Sequence, residues 1–556
     1  MPTFAHGPQI LPDGARFHVW APRLERLALR LERREVGMAS AGDGWFQAEV
    51  PGARPGARYA LVLPGGETRP DPASLRQPEG VHGPSQLFDP AAFRWSTSGW
   101  RGLPPERLVF YEVHLGTFTT EGTLDAAAAR LPELAELGVT CVELMPVQPF
   151  PGDRNWGYDG VSLHAVHEGY GGPEALQRFV DRAHAVGLAV CLDVVYNHLG
   201  PEGNYLTQFG PYLTARHRSP WGDGMNYDDE GAEQVRAFMI EAAVQWVRDY
   251  RLDALRLDAV HAIQDDGPRH LVGAICDAVA AVARETGRAI HVVAESDLND
   301  RKVVEPAPRG WGASSAWADD LHHALHALLT GERHHYYADF GRPEDVQRAL
   351  AQGFVYQGQE SVFRGKRFGT STEGLSPIRF VAFLQNHDQV GNRPFGERLA
   401  SLVPWEALAP AAALVLLGPA LPLLFMGEEY GETRPFLYFT SHTDPALARA
   451  VSEGRKRELI AAAGGREVPD PQDPQTFERS RPSWRRSGRH GALLEVYRKL
   501  LTLRRRHADE LGAHWPEVER DGLVFTLRRP RLVVRANLGP APGGGLPGWG
   551  WSVEEA

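Results

Sequence analysis

Several apolar segments of this chain end in charged residues, where a buried strand would carry hydrophobic side chains. In DALRLDAVH (253–261), Arg256 and Asp258 are two residues apart, so in an extended strand their side chains point to the same face. A neighbouring arginine favours the ionised form of a carboxylate and orients it. We therefore expect Asp258 to be a fixed anion, as a nucleophile must be.

Three other segments end in the same way: one in Asp193, Asn197 and His198, one in Glu295, and one in Asn386, His387 and Asp388. Glu295 closes an apolar run with no adjacent charge, so it should retain a proton at neutral pH more easily than Asp258. Two carboxyl groups in unlike environments suit glycoside hydrolysis, in which one attacks the sugar and the other protonates the leaving oxygen. A retaining mechanism needs them about 5 Å apart, and neighbouring strands, ~4.8 Å apart, supply that separation.

The alternative is that Arg256 and Asp258 form a structural ion pair, since such pairs also perturb charged groups. Because four segments end in charged residues, the sequence favours a shared functional site. Trp156 and Tyr158 in NWGYDGV (155–161) follow the second of the apolar strands. Their rings are suited to stack on a sugar, although aromatic residues in such loops also serve packing.

The segments that position these residues alternate between strand and helix eight times. The strand candidates are LVFYEVHLGTF (108–118), GVTCVELMPV (138–147), LAVCLDVVYNH (188–198), LDALRLDAV (252–260), AIHVVAES (289–296), SSAWADDL (314–321), RFVAFLQNHD (379–388) and LPLLFMGEEYG (421–431). Helical patterns lie between them, at 123–138, 173–187, 232–250 and 271–287, and a last helix is predicted at 493–511. Near-continuous apolar strands separated by helices indicate parallel strands buried on both faces.

Eight such units predict an α/β fold, a closed (β/α)8 TIM barrel, whose catalytic groups lie at the C-terminal strand ends. No GxGxxG follows the first strand, which weakens the open-sheet alternative. We predict an N-terminal Ig-like β-sandwich, similar to a carbohydrate-binding module, at 1–95, the barrel at 96–510, and a C-terminal antiparallel β-domain at 511–556. A long Gly- and Pro-rich connection at about 199–231 predicts an excursion over the barrel mouth.

The motifs DVVYNH, LRLDAVH, VAES and FLQNHD occur in this order and resemble the four signature regions of the α-amylase superfamily of glycoside hydrolases, family 13. The resemblance implies that Asp258 is the nucleophile, Glu295 the general acid/base, and Asp388 the carboxylate that binds sugar hydroxyls. It implies a stacking platform at Tyr158 beside Trp156, and substrate ligands at His198, Arg256, His261 and His387.

Within the superfamily, YNHLGPEGNYL, AESDLND, WADDLHHALHALLTGE and VPDPQDPQTFERSRPSW are most similar to maltooligosyltrehalose trehalohydrolases. This implies cleavage of the α-1,4 bond next to the terminal trehalose of maltooligosyltrehalose, releasing trehalose and a maltooligosaccharide. The chain departs from the pattern at Ala254, where many members have glycine, and its C-terminal domain looks short. The alternatives are a glycogen branching enzyme, or a catalytically inactive amylase-like binding protein.

Cofactors and other partners are not indicated. His322 and His326 have i, i+4 spacing but no HExxH pattern, and no acidic ligand set accompanies Asn197, near which many α-amylases hold calcium, so we predict no metal. A net charge of −11 without a long basic tract argues against nucleic acid. The uncharged stretch 407–427 is interrupted by prolines and reads as helix, turn and strand, so no membrane span is predicted.

The compartment is predicted from the cysteines and from the first residues. Cys141, Cys191 and Cys276 are odd in number and lie in apolar segments, which indicates free thiols in a reducing cytoplasm. The first residues lack the basic start and apolar core of a signal peptide.

Overall fold

The computed structural model describes residues 4–219 and 222–556 of the chain. Three residues of the predicted N-terminal domain and two of the predicted excursion lie outside this description. The central element is a closed barrel of eight parallel strands, in which the last strand pairs with the first. The strands are β1 Phe110–Val113, β2 Cys141–Leu144, β3 Ala189–Val194, β4 Ala254–Leu257, β5 His291–Ala294, β6 Ser315–Trp317, β7 Phe380–Phe383 and β8 Leu421–Phe425.

Each of the eight predicted segments contains one of these strands, so the (β/α)8 prediction is confirmed. All eight strands are fully buried, which explains their near-continuous apolar sequences. The principal helices are Gly172–Ala185, Ala232–Arg248, Leu271–Thr286, Asp319–Thr330, Pro343–Gln352, Leu408–Leu416, Pro445–Leu459 and Arg489–Arg506. Shorter helices are Leu115–Phe118, Leu206–Phe209, His387–Gly391, Leu399–Leu402, Pro474–Arg479 and Ala508–Ala513.

The helix predicted at 123–138 is two helices, Leu124–Ala128 and Leu131–Leu137. The reason is Pro132, which has no N–H for an intrahelical bond and therefore begins a new helix instead of continuing the first. The stretch 407–427 forms the predicted helix Leu408–Leu416 and the buried strand β8. Within 4–219 and 222–556, no helix combines the length and apolarity needed to cross a membrane.

The N-terminal β-domain is confirmed as an antiparallel sheet that folds over on itself. Its strands are Gly7–Leu11, Gly14–Trp20, Leu27–Leu31, Arg34–Gly42, Trp45–Pro51 and Arg58–Val62, with the short strands Thr68–Arg69 and Ser85–Gln86. The strand Arg34–Gly42 pairs with one neighbour through its first half and with the other through its second half. The two layers meet where the rings of Phe17 and Tyr59 pack edge to face, 4.9 Å between centroids.

The C-terminal β-domain is also confirmed, as an antiparallel sheet of Glu517–Asp521, Val524–Arg528, Leu532–Asn537 and Trp551–Glu555. The boundaries at 95/96 and 510/511 remain predictions. After β3, the connection holds the helix Leu206–Phe209 and a hairpin, Leu213–Ser219 with Gly222–Met225.

The N-terminal domain binds this connection directly. The backbone N–H of Arg23 donates to the carbonyl of Phe209 at 3.1 Å, and Arg69 Nε donates to Gln208 Oε1 at 2.9 Å. The Arg69 guanidinium also lies 4.6 Å from the centre of the Tyr205 ring. Residues that follow the end of β3 are thus held between the barrel and the N-terminal domain.

A buried histidine connects the loop after β2 to the helix Ala232–Arg248. His164 Nδ1 lies 2.8 Å from Gln245 Oε1, and Gln245 Nε2 donates to the His164 carbonyl at 2.8 Å. Burial lowers the pKa of His164 to about 4, so the ring is neutral at physiological pH.

This pKa makes stability depend on pH. Between the unfolded pKa near 6.5 and the folded pKa near 4, the unfolded chain binds a proton that the folded chain does not, so the free energy of unfolding falls as pH decreases. His164 should contribute a loss of about 2 kcal/mol between pH 7 and pH 4.5, and His164→Gln should remove that part of the pH dependence. Urea unfolding at both pH values measures it, with exposed His334→Gln as the control. An unchanged pH dependence in His164→Gln would contradict the assignment.

Candidate active site

The charged strand ends meet at one mouth of the barrel. Asp193 of β3 is directly in register with Arg256 of β4, Asp258 follows β4, and Glu295 follows β5. Arg256, Asp258 and Glu295 open into a cleft of about 380 Å³, whereas Asp193 is buried. The other predicted site residues that line it are Trp156, Tyr158, His198, His261, His387 and Asp388. All nine predicted site residues are therefore brought together.

The Arg256 guanidinium lies at the base of the cleft, 1% exposed, and contacts three carboxylates. Its Nη1 donates to Asp258 Oδ1 at 3.0 Å and also to Asp193 Oδ2, and its Nη2 is 3.0 Å from Glu295 Oε2. Glu295 therefore has no charged neighbour in the sequence, but it has a guanidinium beside it in the structure. The strands β4 and β5 pair in parallel, which brings Arg256 close to Glu295, 39 residues later in the sequence. This contact cannot be recognised from neighbouring residues in the chain.

Asp258 is fixed by a second donor group. Asn197 Nδ2 donates to Asp258 Oδ2 at 2.7 Å and to the Asp258 carbonyl at 2.8 Å. His198 Nδ1 contacts Asn197 Oδ1, and His198 Nε2 is 3.0 Å from the Tyr158 carbonyl. Both oxygens of the Asp258 carboxylate are thus held, which confirms the oriented carboxylate expected from the sequence.

A strained turn positions Glu295. Ala259, directly after Asp258, has φ of 40°, in the left-handed region that costs a non-glycine residue about 1–2 kcal/mol. In this conformation the Ala259 N–H donates to Glu295 Oε2 at 2.7 Å. The turn that ends β4 therefore orients the carboxyl group that ends β5.

A hydrogen-bonded chain crosses the other side of the cleft. Tyr158 donates its hydroxyl to Asp193 Oδ2 at 2.6 Å and lies 2.9 Å from His387 Nε2, while His387 Nδ1 contacts Glu112 Oε1. Burial alone would lower the pKa of His387. The negative charge of Glu112 and its hydrogen bond to the ring have the larger effect and raise this pKa to about 9. His387 is therefore an imidazolium at neutral pH.

Burial also changes the protonation of neighbouring carboxyl groups. It raises the pKa of Asp193 to about 7, against the opposing effect of Arg256 and Tyr158. It raises the pKa of Asp388 as well, opposed by His387, and Asn392 Nδ2 donates to Asp388 Oδ1 at 2.7 Å. Glu143 of β2 lies beside Glu112 and has no hydrogen-bond partner among the described residues; burial and the Glu112 charge raise its pKa well above the usual value.

The two aromatic residues of the loop after β2 differ in exposure. Trp156 is 4% exposed, donates Nε1 to the Leu437 carbonyl at 2.9 Å, and stacks on Phe436 at 5.3 Å. A Cβ on Gly391 would lie 2.1 Å from its ring, so Trp156 supports the short helix that carries Asp388. This placement favours packing for Trp156, whereas Tyr158 is partly exposed to the cleft.

Several lining residues were not identified from the sequence. They are Asn155, Asp159, Asn392, Tyr438 and Arg455, with Glu112 and Glu143 in the buried strands beneath. The two glutamates could have been recognised in the sequence, because they lie inside the apolar strands β1 and β2. Nothing in the sequence indicates Arg455, because it comes from a helix beyond the last strand. His261 lies at the rim, where Nδ1 accepts the Asp297 N–H at 3.2 Å.

The two histidines considered as metal ligands are hydrogen-bonded to other side chains of the protein. His322 Nε2 lies 2.9 Å from the Tyr337 hydroxyl, and His326 Nε2 lies 2.9 Å from Glu332 Oε2. In the part of the chain that is described, ligand atoms of His217, Asp228 and Asp266 come within 4.8 Å of one another. His217 is hydrogen-bonded to Asp228, and Arg216 pairs with Asp266 at 3.3 Å.

Comparison with known proteins identifies the class. Residues 86–221 match the alpha-amylase catalytic domain model. A crystal structure described as a putative alpha amylase from Salmonella typhimurium superposes with a TM-score of 0.93, at 41% identity over 100% of both chains. A pullulanase from Anoxybacillus sp. LM18-11, 19% identical with a TM-score of 0.71 over 99% of this chain and 85% of that one, shares the fold. The chain is thus an α-amylase-type glycoside hydrolase.

More similar sequences define the group within that class. Proteins named malto-oligosyltrehalose trehalohydrolase are 48% identical in Rhizobium sp. (88% of this chain, 84% of the relative) and 44% identical in Saccharolobus solfataricus (92% and 90%). A 1,4-alpha-glucan branching enzyme from Ralstonia nicotianae is 28% identical over 75% of this chain and 58% of its own length. The chain belongs to the malto-oligosyltrehalose trehalohydrolase family.

The charge on His387 gives a testable pH dependence. Glu112→Gln removes the carboxylate that raises the His387 pKa to about 9, leaving burial, which lowers it. The ionisation of the His387 ring should therefore move down by about two pH units or more. NMR titration of the His387 imidazole resonances from pH 5 to pH 10 tests this, with exposed Glu121→Gln as the control. A His387 titration at the wild-type position in Glu112→Gln would refute Glu112 as the group that holds this charge.

Proposed function

We propose that this protein is a retaining hydrolase that cleaves the α-1,4-glucosidic bond next to the terminal trehalose unit of maltooligosyltrehalose. The products are trehalose and a maltooligosaccharide. The geometry that carries the proposal is one guanidinium that reaches Asp258 Oδ1 and Glu295 Oε2, each at 3.0 Å, in a single cleft. The trehalose-end preference rests on the family.

In the first step, Asp258 attacks the anomeric carbon of the glucosyl unit, and the bond from that carbon to the trehalose oxygen breaks. Glu295 gives its proton to the departing oxygen, so trehalose leaves as a neutral alcohol. In the second step, Glu295 takes a proton from water, the water oxygen attacks the anomeric carbon, and the bond to Asp258 breaks. Two inversions leave the maltooligosaccharide as the α-anomer.

The remaining groups bind the sugar and support its charge. Asp388 accepts hydrogen bonds from hydroxyls of the attacked glucose, while the His387 imidazolium, whose two ring nitrogens bind Glu112 and Tyr158, supplies a positive charge beside Asp388. Tyr158 provides a ring face and is held through its hydroxyl by Asp193. The negative charge of the cluster stabilises the oxocarbenium-like transition state.

Removing either reacting carboxyl group should abolish most of the activity. Asp258→Ala and Glu295→Gln should each lower kcat by several orders of magnitude while the fold persists, because each removes a group that acts in the transition state. Circular dichroism and thermal melting provide the folding control. An α-glucoside with an activated phenol as leaving group needs no proton, so Glu295→Gln should retain far more activity on it than Asp258→Ala does. Equal losses on that substrate would refute the assignment of roles.

Product analysis decides between hydrolysis and transfer. With maltotriosyltrehalose the enzyme should release trehalose and maltotriose, with maltotriose formed first as the α-anomer by polarimetry or NMR. A branching enzyme would instead transfer to a sugar hydroxyl, giving α-1,6 branches from amylose and little trehalose. Trehalose absent from the products would overturn the proposal.

We also propose a cytoplasmic location. Cys141, Cys191 and Cys276 are all buried as free thiols, which fits a reducing compartment.

A further inference from the structure

The short helix that carries Asp388 depends on contacts with the rest of the barrel. The helix His387–Gly391 has five residues, little more than one turn, and helices of this length are marginal by themselves. Its beginning is capped by the side-chain oxygen of Asn386, which accepts the N–H groups of Asp388 and Gln389. Contacts from elsewhere in the chain are needed to fix its end.

An ion pair provides such a contact just beyond the helix. Arg393 donates Nη1 to Glu332 Oε2 at 3.0 Å and Nη2 to Glu332 Oε1 at 2.9 Å, and His326 Nε2 lies 2.9 Å from the same Oε2. The hydrogen bonds with His326 and Arg393 hold the pKa of Glu332 well below its usual range, so Glu332 is charged at neutral pH. The Arg393 and Glu332 side chains are 16% and 21% exposed. A two-point contact that is mostly shielded from water fixes geometry better than most surface ion pairs do.

The chain ahead of Asp388 is held by the same part of the barrel. His322, one turn before His326 on the helix Asp319–Thr330, has its Nδ1 2.5 Å from the Leu384 carbonyl oxygen. Leu384 lies four residues before Asp388, and Arg393 lies five residues after it. The helix that follows β6, with the two residues after it, therefore binds the Asp388 segment on both sides.

Among the described residues, neither Glu332 nor Arg393 lines the cleft, so they can affect the bound sugar only through other residues. We propose that Glu332 and Arg393 are positioning residues that hold the Asp388 carboxylate against the hydroxyls of the attacked glucose. This inference rests on the proposed function, in which Asp388 binds that glucose. It also gives His322 and His326 of the segment WADDLHHALHALLTGE a part in holding the Asp388 segment in place.

A double-mutant cycle tests whether Arg393 acts through Asp388. Arg393→Met should lower kcat/KM for maltotriosyltrehalose about tenfold or more, because a misplacement of about 1 Å can cost about 10²-fold. In an Asp388→Ala background the same substitution should cost less than about twofold, because the group that it positions is gone. Glu332→Gln should show the same pattern. Arg178→Met is the matched control and should keep the wild-type value, since Arg178 makes a two-point contact with Asp125 and does not line the cleft.

Two further measurements do not depend on hydrolysis. Hydrogen exchange followed by mass spectrometry should show faster exchange of the amides of 387–393 in Arg393→Met, with wild-type exchange in β7. Maltotriose affinity, measured by calorimetry through the same cycle, should fall with Arg393→Met only where Asp388 is present. Circular dichroism and thermal melting provide the folding control.

A loss of activity confined to proteins that retain Asp388, with faster exchange at 387–393, supports the inference. Equal losses with and without Asp388 would mean that the ion pair acts elsewhere, and unchanged activity would mean that it does not position Asp388; either result overturns the inference. If Arg393→Met does not fold, Glu332→Gln takes its place in the cycle. If the wild-type enzyme releases no trehalose, the proposed function fails, and the maltotriose cycle then decides the role of the ion pair by itself.

Discussion

The cleft depends on a single buried cation. Arg256 compensates Asp193, Asp258 and Glu295, which come from three adjacent strands of the barrel. Taking one partner from a buried ion cluster costs about 3–5 kcal/mol, because the remaining charges have no solvent to stabilise them. The register of β3, β4 and β5 is therefore tied to this guanidinium as much as to the packing of apolar side chains. The same contacts that stabilise the barrel mouth also align the two carboxyl groups that act on the sugar.

One positive charge does not balance all the acidic groups around it. His387 supplies a second, since Glu112 beneath it keeps the imidazole protonated. Glu143 is buried beside Glu112, and burial raises its pKa, which favours its neutral form. The arrangement separates two tasks. The buried layer sets protonation and orientation, and the layer above it contacts substrate. This explains how Glu112, which does not line the cleft, determines the charge of His387, which does.

The fold could be predicted from the sequence because each strand is a run of apolar residues that ends in polar ones. The same pattern located Asp258, Glu295 and Asp388, since a barrel brings C-terminal strand ends to one mouth. Contacts across strands were not predictable. The pairing of Arg256 with Glu295 depends on register, and the role of Trp156 depends on the close approach of Gly391. Arg455 could not be found from the sequence because its position is set by the path of the chain after β8, which no local pattern encodes.

The N-terminal domain contacts the connection that leaves β3 through Arg23 and Arg69, about ten residues beyond His198. The connection that begins at the catalytic end of β3 therefore makes contacts with a domain that does not line the cleft. Exchanging this domain between relatives would keep the barrel sequence but replace the contacts made to the segment that begins with Asn197, the residue that holds Asp258.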